Sequence, residues 1–264
     1  MTEPLQKTAL ITGAGSGIGR ALALEAARRG YALILTGRRR APLAETAELT
    51  SNGARCILGD VATAEGRAAI CTAVGGRLDV LINNAGTLSV GHLGAQEDAA
   101  ISAMLETNLL APILLTRDLL PALRAAGGRV VNLGSVFGDI AYPFFTAYSA
   151  TKFGLRGFSD ALRRELSGSG VGVTYVAPRA TRTAAESAFG PLVEPLDMHL
   201  DSAEKVARQA WDAIEAGKRD SYPRSRERLF VLIQRLFPSL IDKSVGAQAR
   251  DAKTLEALET VSAR

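Results

Sequence analysis

The chain has 264 residues; 47% of them are hydrophobic, 22% are charged, and the formal net charge is +4 at pH 7. This balance is typical of a folded globular protein with a sizeable core, and it excludes a long disordered chain. Positive residues are spread along the sequence, apart from Arg38-Arg39-Arg40 and a group at Arg224, Arg226 and Arg228. A nucleic-acid-binding role needs a broader basic face, so we expect no nucleic-acid partner.

The two cysteines, Cys56 and Cys71, do not have the spacing of a metal site. We interpret them as reduced thiols of a cytoplasmic protein, and we expect no bound metal. Only a few polar residues precede the first apolar run, which predicts no signal peptide. No apolar run reaches the roughly 18 residues that cross a bilayer, so no transmembrane segment is expected.

The first predicted strand, Thr8 to Thr12, leads directly into a glycine-rich turn and a helix. The turn follows the pattern T-G-x-x-x-G-x-G through Thr12, Gly13, Gly17 and Gly19, and it does not meet the strict G-x-G-x-x-G spacing. Glycines let the backbone approach a pyrophosphate, and the helix N-terminus supplies N–H donors. An ordinary glycine-rich turn is the alternative, but the strand–turn–helix order favours nucleotide binding.

The second predicted strand, Tyr31 to Thr36, ends at Gly37-Arg38-Arg39-Arg40. A protein that binds NAD usually has a carboxylate here for the ribose 2′-hydroxyl, and this sequence has none. Guanidinium groups suit a 2′-phosphate, so the sequence predicts a preference for NADP(H) over NAD(H), led by Arg38. A solvated arginine run at the start of the next helix is the alternative.

Strand-like and helix-like segments continue to alternate along the chain, which predicts a doubly wound parallel sheet in one domain. The further strands are expected at residues 54–58, 78–82, 129–133 and 171–176, and helices at about 42–51, 96–124 (broken near Pro112), 148–166 and 202–216. Asn83-Asn84-Ala85-Gly86 follows a strand, where it is either a turn or a lining of the cofactor crevice. Asn108 lies inside a helix, which is unfavourable unless its amide has a specific task.

Tyr148 and Lys152 are four residues apart on a predicted helix, so their side chains share one face. A phenol normally titrates near pH ~10, and a neighbouring cation is expected to lower that pKa. Ser135, at the end of the preceding strand, can hold a substrate oxygen beside the phenol. A half-buried tyrosine and a solvated lysine are the ordinary explanation of this pair; the rest of the chain favours a proton-transfer site.

Beyond Lys152, the same helix has a stripe of small residues, Ala150, Gly154, Gly157 and Ala161. This stripe fits a subunit contact and packing within one subunit equally well. The last part of the chain, about 221–264, is predicted to be a variable apolar extension, and Trp211 just before it a core or groove aromatic residue. Its apolar segments at 229–233 and 236–241 suit a subunit contact, a lid over an apolar substrate or a membrane-surface helix, and we favour burial in one of the first two.

Together these motifs resemble the short-chain dehydrogenase/reductase family over roughly residues 7 to 185. The resemblance implies a three-layer Rossmann-type sheet of about seven parallel strands, a nicotinamide cofactor, a carbonyl or alcohol as the substrate, and a homodimer or homotetramer. It implies that Tyr148 is the general acid or base, Ser135 positions the substrate oxygen, Lys152 binds the nicotinamide ribose, and Asn108 holds a water. The cofactor-binding residues that it implies are Thr12, Gly13, Gly15, Ser16, Gly17, Ile18, Gly19, Arg38, Arg39, Asp60, Val61, Asn84, Ala85, Gly86, Tyr148, Lys152, Pro178, Thr181 and Thr183.

The sequence departs from the family pattern at two places near the expected site. Arg179 stands where the family often has glycine, and we expect it to narrow the site, shift the loop or meet an acidic group on the cofactor or substrate. Gly134 stands where a second serine is common, which we expect to matter little. The prediction is an NADP(H)-dependent oxidoreductase that interconverts a carbonyl and an alcohol on a hydrophobic substrate. The alternatives are a non-catalytic NADP(H)-binding sensor on the same fold and an epimerase or dehydratase.

Overall fold

A computed structural model describes residues 6–50, 53–223 and 227–262. Its main sheet has seven strands in the order β3-β2-β1-β4-β5-β6-β9, and every neighbouring pair is parallel. A separate pair, β7 and β8, forms a small second sheet. The strands are β1 (Thr8–Thr12), β2 (Ala32–Gly37), β3 (Arg55–Leu58), β4 (Val80–Asn83), β5 (Arg129–Leu133), β6 (Gly172–Val176), β7 (Thr181–Arg182), β8 (Asp201–Ser202) and β9 (Asp220–Ser221).

Helices cover both faces of the sheet and complete three layers, as the sequence predicts. They are α1 (Gly17–Arg28), α2 (Arg40–Glu48), α3 (Ala64–Val74), α4 (Asp98–Leu105), α5 (Ala111–Ala126), α6 (Thr146–Glu165), α7 (Ala203–Glu215), α8 (Glu227–Leu236), α9 (Pro238–Arg250) and α10 (Ala252–Ser262). Because the central strands are buried on both faces, they read as continuous apolar runs. The fold is a Rossmann-type doubly wound α/β domain.

Alternate residues of each strand face the two helical layers. In β1, Ile11 packs with α1 and α7, where Trp211 is fully buried and donates from its indole nitrogen to the Leu22 carbonyl at 3.0 Å. Leu10 faces the opposite layer, which contains Leu115 and Leu119 of α5. Trp211 is therefore a core residue, one of the two roles predicted for it.

The strand order reverses where β1 lies between β2 and β4, so the chain leaves the sheet in opposite directions on either side of that point. Loops after these strands diverge and open a crevice at the carboxyl edge of the sheet, where ligands of this fold class bind. The motifs predicted to bind a nucleotide follow β1, β2 and β4. The topology therefore brings them to one place.

The helix around Asn108 differs from the prediction. It runs without a break past Pro112, because α4 continues through a π-helical turn, Glu106–Leu110, into α5. Pro112 is the second residue of α5 and directly follows the π turn; it has no N–H to donate to the preceding turn of this continuous helix. The prediction of a helix break near Pro112 is wrong; the helix instead contains a π turn just before this proline.

Within the described residues, one continuous helical stretch, Asp98–Ala126, is long and apolar enough to cross a membrane by length and composition alone, with a mean hydropathy of 1.5. The prediction concerned uninterrupted apolar runs, and this stretch is interrupted by polar residues such as Glu106 and Asn108. In the fold its α5 part packs on the sheet through Leu115, Leu119 and Leu123, all buried. Core helices often have such a composition.

The C-terminal extension forms α8, α9 and α10 in the residues that the structure describes; Arg224 and Arg226 lie outside them. Several large apolar side chains of α8 and α9 are exposed rather than turned towards a pocket. They are Leu229, Phe230, Leu232, Leu236, Phe237 and Leu240. Helix α10 instead covers the apolar end of the central cleft, because its Leu258 is buried against Phe189 and Leu192. Of the three alternatives for segments 229–233 and 236–241, a lid over the cleft is not observed, since none of their residues lines it; a subunit contact and a membrane-surface helix stay predictions.

Candidate active site

The turn between β1 and α1 needs glycine at the predicted positions. Gly13 and Gly17 have φ angles of +64° and +53°, which L side chains rarely adopt. A Cβ on Gly19 would lie 2.2 Å from the Gly13 carbonyl oxygen, which no side chain can occupy. Ser16 is the N-cap of α1, and its side chain makes no capping bond to the described residues. The first-turn N–H groups of α1 can therefore face a phosphate.

Thr12 lies behind this turn and joins β1 to the end of β4. Its hydroxyl accepts bonds from the N–H groups of Asn84 at 3.0 Å and Ala85 at 2.9 Å. The Asn84 side chain reciprocates by donating to the Thr12 carbonyl at 2.8 Å. Thr12 thus shapes the wall of the crevice, whereas it was predicted to contact the cofactor.

Ser135, Tyr148 and Lys152 meet at the carboxyl edge of β5. Helix α6 begins at Thr146, two residues before Tyr148, and places Lys152 one turn further along. Lys152 Nζ lies 5.5 Å from the centre of the Tyr148 ring and donates to the Leu133 carbonyl at 2.9 Å. Ser135 Oγ accepts from the N–H of Phe137 at 3.1 Å, which leaves its own proton for an oxygen in the site.

Burial controls the ionisation of this pair. It raises the pKa of Tyr148 to about 12, and a hydrogen bond with Ser135 offsets part of that rise. Burial also lowers the pKa of Lys152 to about 8. In the protein alone the pKa of Tyr148 is therefore raised, not lowered as the sequence predicted, because desolvation is the largest influence on it.

Asn108 lies behind the same cluster, at the centre of the π turn. Its side chain accepts from the Thr87 N–H at 2.8 Å and donates to the Thr87 carbonyl at 2.8 Å. It also donates to Thr151 Oγ1 at 3.3 Å, next to Lys152. Its amide therefore does have a specific task, which is to tie the loop after β4 to α6.

The far end of the crevice is formed by the loops after β2 and β3. Arg38 Nη1 lies 3.8 Å from Asp60 Oδ2, but the two side chains are 70% and 33% exposed. A solvent-exposed pair of this kind is weak and leaves the guanidinium able to bind another anion. Asp60 Oδ1 accepts from the Ala62 N–H at 3.0 Å, which fixes the loop after β3.

Arg179 is held by an acidic group of this protein. Its guanidinium binds both carboxylate oxygens of Asp201 at 2.9 Å, and Lys205 binds the same carboxylate at 2.6 Å. These bonds hold the pKa of Asp201 below its usual range, although burial alone would raise it. We expected an acidic group of the cofactor or the substrate as one partner of Arg179; the group observed is instead Asp201 of the protein itself, and the pairing anchors β7 against β8.

The other departure from the family pattern proves structurally important. A Cβ on Gly134 would lie 2.0 Å from Cζ of Tyr175, a fully buried side chain of β6. The expectation that glycine at this position matters little is therefore wrong. The signal was a tyrosine within β6, but only the sheet register shows that it lies against Gly134.

These elements enclose a cleft of about 400 Å³, the size of an ordinary ligand site. It is lined by the predicted residues Gly13, Gly15, Ser16, Gly17, Ile18, Gly19, Arg38, Arg39, Asp60, Val61, Asn84, Ala85, Gly86, Ser135, Tyr148, Lys152, Pro178, Thr181 and Thr183. Thr12 and Asn108 lie behind its wall. Within the described residues, no cluster of three or more potential metal ligands occurs.

Sequence reasoning missed the apolar part of the cleft beside Tyr148. It is formed by Leu88, Phe137, Phe145, Phe189 and Met198. These residues come from three separate connecting segments and a helix start, and no sequence spacing connects them. The only sequence signal was the pair of adjacent aromatic residues, Phe144-Phe145. In the structure Phe144 has a φ of +68°, a strained conformation that turns the chain into α6.

Comparison with known proteins identifies the family. Residues 7–191 match the family described as short chain dehydrogenase. The chain belongs to the short-chain dehydrogenase family. It is therefore an oxidoreductase of a family that binds NAD(P), as the motifs predicted.

Short-chain dehydrogenases from diverse organisms are similar to this chain. Ketoacyl reductase HetN of Nostoc is 37% identical to this chain over a region that covers 67% of this chain and 64% of HetN. Hydroxysteroid 11-beta-dehydrogenase 1-like protein A of Xenopus laevis is 32% identical over a region that covers 90% of this chain and 84% of that relative. A short-chain dehydrogenase from Sphingobium yanoikuyae in complex with NADPH has a TM-score of 0.76 and 28% identity over 89% of this chain and 96% of its own.

Proposed function

We propose that this protein is an NADP(H)-dependent oxidoreductase that interconverts a carbonyl and an alcohol on a hydrophobic small molecule. The observation that carries the proposal is the composition of one cleft. It places Ser135, Tyr148 and Lys152 between a glycine-rich helix N-terminus on one side and an apolar wall on the other. A cleft that only senses a nucleotide has no need of this proton-transfer group.

The residues of the cleft fit a dinucleotide with a 2′-phosphate. The N-terminus of α1 offers N–H donors for the pyrophosphate, and Gly13 and Gly17 keep that approach open. Arg38 and Arg39 line the far end, while Asp60, the carboxylate near them, is engaged by a main-chain N–H. Two guanidinium groups at this end favour NADP(H) over NAD(H).

When bound, the nicotinamide supplies or accepts the hydride. Tyr148 gives its proton to the carbonyl oxygen during reduction and takes it back during oxidation. Ser135 donates a hydrogen bond to that same oxygen and so orients it towards Tyr148. Lys152 lies beside the phenol with a cationic ammonium that stabilises the phenolate left after proton transfer, and a nucleotide hydroxyl can share its remaining donors.

The apolar wall indicates the substrate class. Phe137 lies edge-on to Tyr148, with ring centres 6.4 Å apart, and Phe145 and Phe189 continue the same cluster. A polar substrate would leave its groups without partners on this wall, whereas an apolar carbon skeleton would displace water from it. A hydrophobic ketone or aldehyde is the substrate that this geometry favours.

The experiment that tests the proposal is a panel of apolar and polar ketones and aldehydes, assayed with NADPH and with NADH. We expect NADPH to be oxidised in equal amount to alcohol formed, with apolar carbonyls preferred. Product formation without net cofactor oxidation would indicate an epimerase. NADPH binding without turnover on any carbonyl would favour a sensor.

We also propose that the protein is cytoplasmic and forms a homodimer or homotetramer. A side of α6 with exposed Phe153 and Gly157 lies near the exposed Leu105 and Leu110, which suits a contact with a second copy. The exposed apolar side chains of α8 and α9 suit either a further contact of this kind or the surface of a membrane. Size-exclusion chromatography with light scattering distinguishes the oligomeric states, and flotation with lipid vesicles tests membrane contact.

A further inference from the structure

Tyr175 of β6 reaches from the sheet into the centre of the catalytic cluster. Its hydroxyl accepts a bond from the Ser135 N–H at 3.3 Å. The same hydroxyl lies 3.3 Å from the Ser135 carbonyl oxygen and 3.5 Å from the Lys152 carbonyl oxygen, to which it can donate its proton. One buried hydroxyl therefore joins the main chains of two catalytic residues that are 17 positions apart.

The chain makes room for this ring with two glycines. A Cβ on Gly134 would lie 2.0 Å from Tyr175 Cζ, and a Cβ on Gly138 would lie 2.3 Å from its hydroxyl. Any other residue at either position would have to displace the ring. The tyrosine and the two glycines thus form one steric unit around the turn that carries Ser135.

The outer face of the ring is held by Arg156, which is on α6 one turn beyond Lys152. Its guanidinium lies 4.8 Å from the centre of the Tyr175 ring. Arg156 also contacts Asp220 at 3.5 Å and the hydroxyl of Tyr222. Tyr222 in turn donates to Asp139 at 2.7 Å. The ring is therefore fixed from both sides, with its hydroxyl directed at the catalytic residues.

Tyr175 stays protonated at working pH, because burial raises its pKa well above the usual range of a phenol. Its proton is therefore available for the two carbonyl oxygens. A phenylalanine here would fill the same space but would leave a buried N–H and buried carbonyls without this partner.

We propose that Tyr175 is a positioning residue, whose buried hydroxyl fixes the distance between the Ser135 turn and the Lys152 turn of α6 and so aligns Ser135 with Tyr148. This inference rests on the proposed carbonyl-reductase function. Alignment of this kind affects the proton-transfer step, since a small displacement of one reacting group lowers the rate without preventing binding.

The test compares Tyr175→Phe with Tyr222→Phe, which removes the same atom from the same buried network at a residue that contacts neither Ser135 nor Lys152. Each purified variant is assayed for kcat with the best carbonyl of the panel, for its NADPH dissociation constant and for its thermal midpoint. We expect Tyr175→Phe to lower kcat about tenfold or more, with the NADPH dissociation constant changed less than about threefold. We expect Tyr222→Phe to keep kcat within about twofold of the wild type, even if its thermal midpoint falls by as much as that of Tyr175→Phe.

A kcat for Tyr175→Phe within about twofold of the wild type would overturn the inference, as would equal losses in both variants. The wild type is measured first: if it reduces no carbonyl, the proposed function fails and the inference fails with it. If the wild type is active and only the variant comparison fails, the function stands and the positioning role does not.

A second measurement does not depend on activity. Gly134→Ser is expected to lower the thermal midpoint in the wild-type background, where its Cβ would overlap Tyr175. In the Tyr175→Ala background the same substitution should cost much less, because the ring is gone. An equal loss in both backgrounds would show that Gly134 and Tyr175 do not form the steric unit on which the inference depends.

Discussion

Lys152 illustrates, at the scale of a single residue, how a catalytic group costs stability. Its side chain is buried at 6% exposure, and burial lowers its pKa from 10.5 to about 8. Below pH 8 the folded state must hold a buried charge, whereas between pH 8 and 10.5 only the unfolded state retains the proton. The contribution of Lys152 to stability therefore rises with pH across that window.

This pH dependence can be measured by urea unfolding of the wild type and of Lys152→Met at pH 7.5 and at pH 9.5. Relative to the variant, the wild type should gain about 1–2 kcal/mol in the free energy of unfolding between these pH values. Lys253→Met, on the exposed side of α10, is the control and should show the same pH dependence as the wild type. Parallel pH dependences for wild type and Lys152→Met would contradict a lowered pKa.

Arg38 is the residue on which cofactor preference depends in this account. Arg38→Asp should weaken NADPH binding by about tenfold or more, because a charge-assisted bond to the 2′-phosphate is replaced by repulsion. NADH binding should change far less. Fluorescence titration of both nucleotides measures the two effects.

Arg40→Asp is the matched control for Arg38, since it makes the same charge change at the start of α2, outside the residues that line the cleft. It should leave the ratio of the two affinities within about threefold of the wild-type ratio, because exposed charges are largely screened. Equal losses of NADPH and NADH affinity in Arg38→Asp would sink the assignment of Arg38.

Single residues also show where sequence reasoning reaches its limit. The Tyr148, Lys152 and Ser135 set was predictable, because helical spacing and the end of a strand place these side chains without knowledge of the whole fold. The pKa of Tyr148 and the role of Tyr175 were not, because both depend on burial and on neighbours across the sheet. The pairing of Arg179 with Asp201 was not predicted either, because the two residues meet only through the β7–β8 pairing.

At the scale of elements, the π turn at Glu106–Leu110 fixes Asn108, which holds the loop after β4 by two bonds to Thr87. Asn108→Ala would leave the N–H and carbonyl of Thr87 without these partners. We expect the free energy of unfolding to fall by about 2–4 kcal/mol, and kcat/KM to fall with it as Gly86 and Lys152 lose their common support. Urea unfolding and initial-rate kinetics check the two effects.

Glu106→Ala is the control in the same turn, because the Glu106 side chain is exposed. It should change the free energy of unfolding by no more than about 0.5 kcal/mol. Equal stability of Asn108→Ala and the wild type would show that the bonds to Thr87 contribute nothing.

Six strands of the main sheet and its doubly wound class were predictable. Five of them are buried and produce continuous apolar runs, and the exposed edge strand β3 is marked by a short apolar stretch of its own. The seventh strand, Asp220–Ser221, was not placed by its own residues, since two polar residues have no strand pattern and are held only by pairing with β6. The π turn escaped prediction for a similar reason. Pro112 signalled a perturbation, but only packing decided between a break and a wider turn.

For the whole molecule, α10 connects the C-terminus to the apolar end of the cleft. Leu258 is 2% exposed and belongs to the cluster that includes Phe145, Phe189 and Leu192. Leu258→Ala should loosen this cover and raise KM for an apolar carbonyl, with little change in the NADPH dissociation constant. The buried truncation should also cost about 2–4 kcal/mol of stability.

Leu255→Ala tests the same helix at a position that is 39% exposed. It should leave both KM and stability close to the wild-type values, because Leu255 lies outside the buried cluster to which Leu258 belongs. A KM for Leu258→Ala equal to that of Leu255→Ala would contradict a covering role for α10.

Tyr148 is proposed to transfer the proton in an NADPH-dependent reduction, and Tyr148→Phe tests this role most directly. Stopped-flow measurement of NADPH oxidation should show a rate at least about 100-fold below the wild type, because the general acid is absent. The NADPH dissociation constant should change less than about threefold. A variant that binds NADPH normally and still oxidises it with a carbonyl at more than about a third of the wild-type rate would contradict the account.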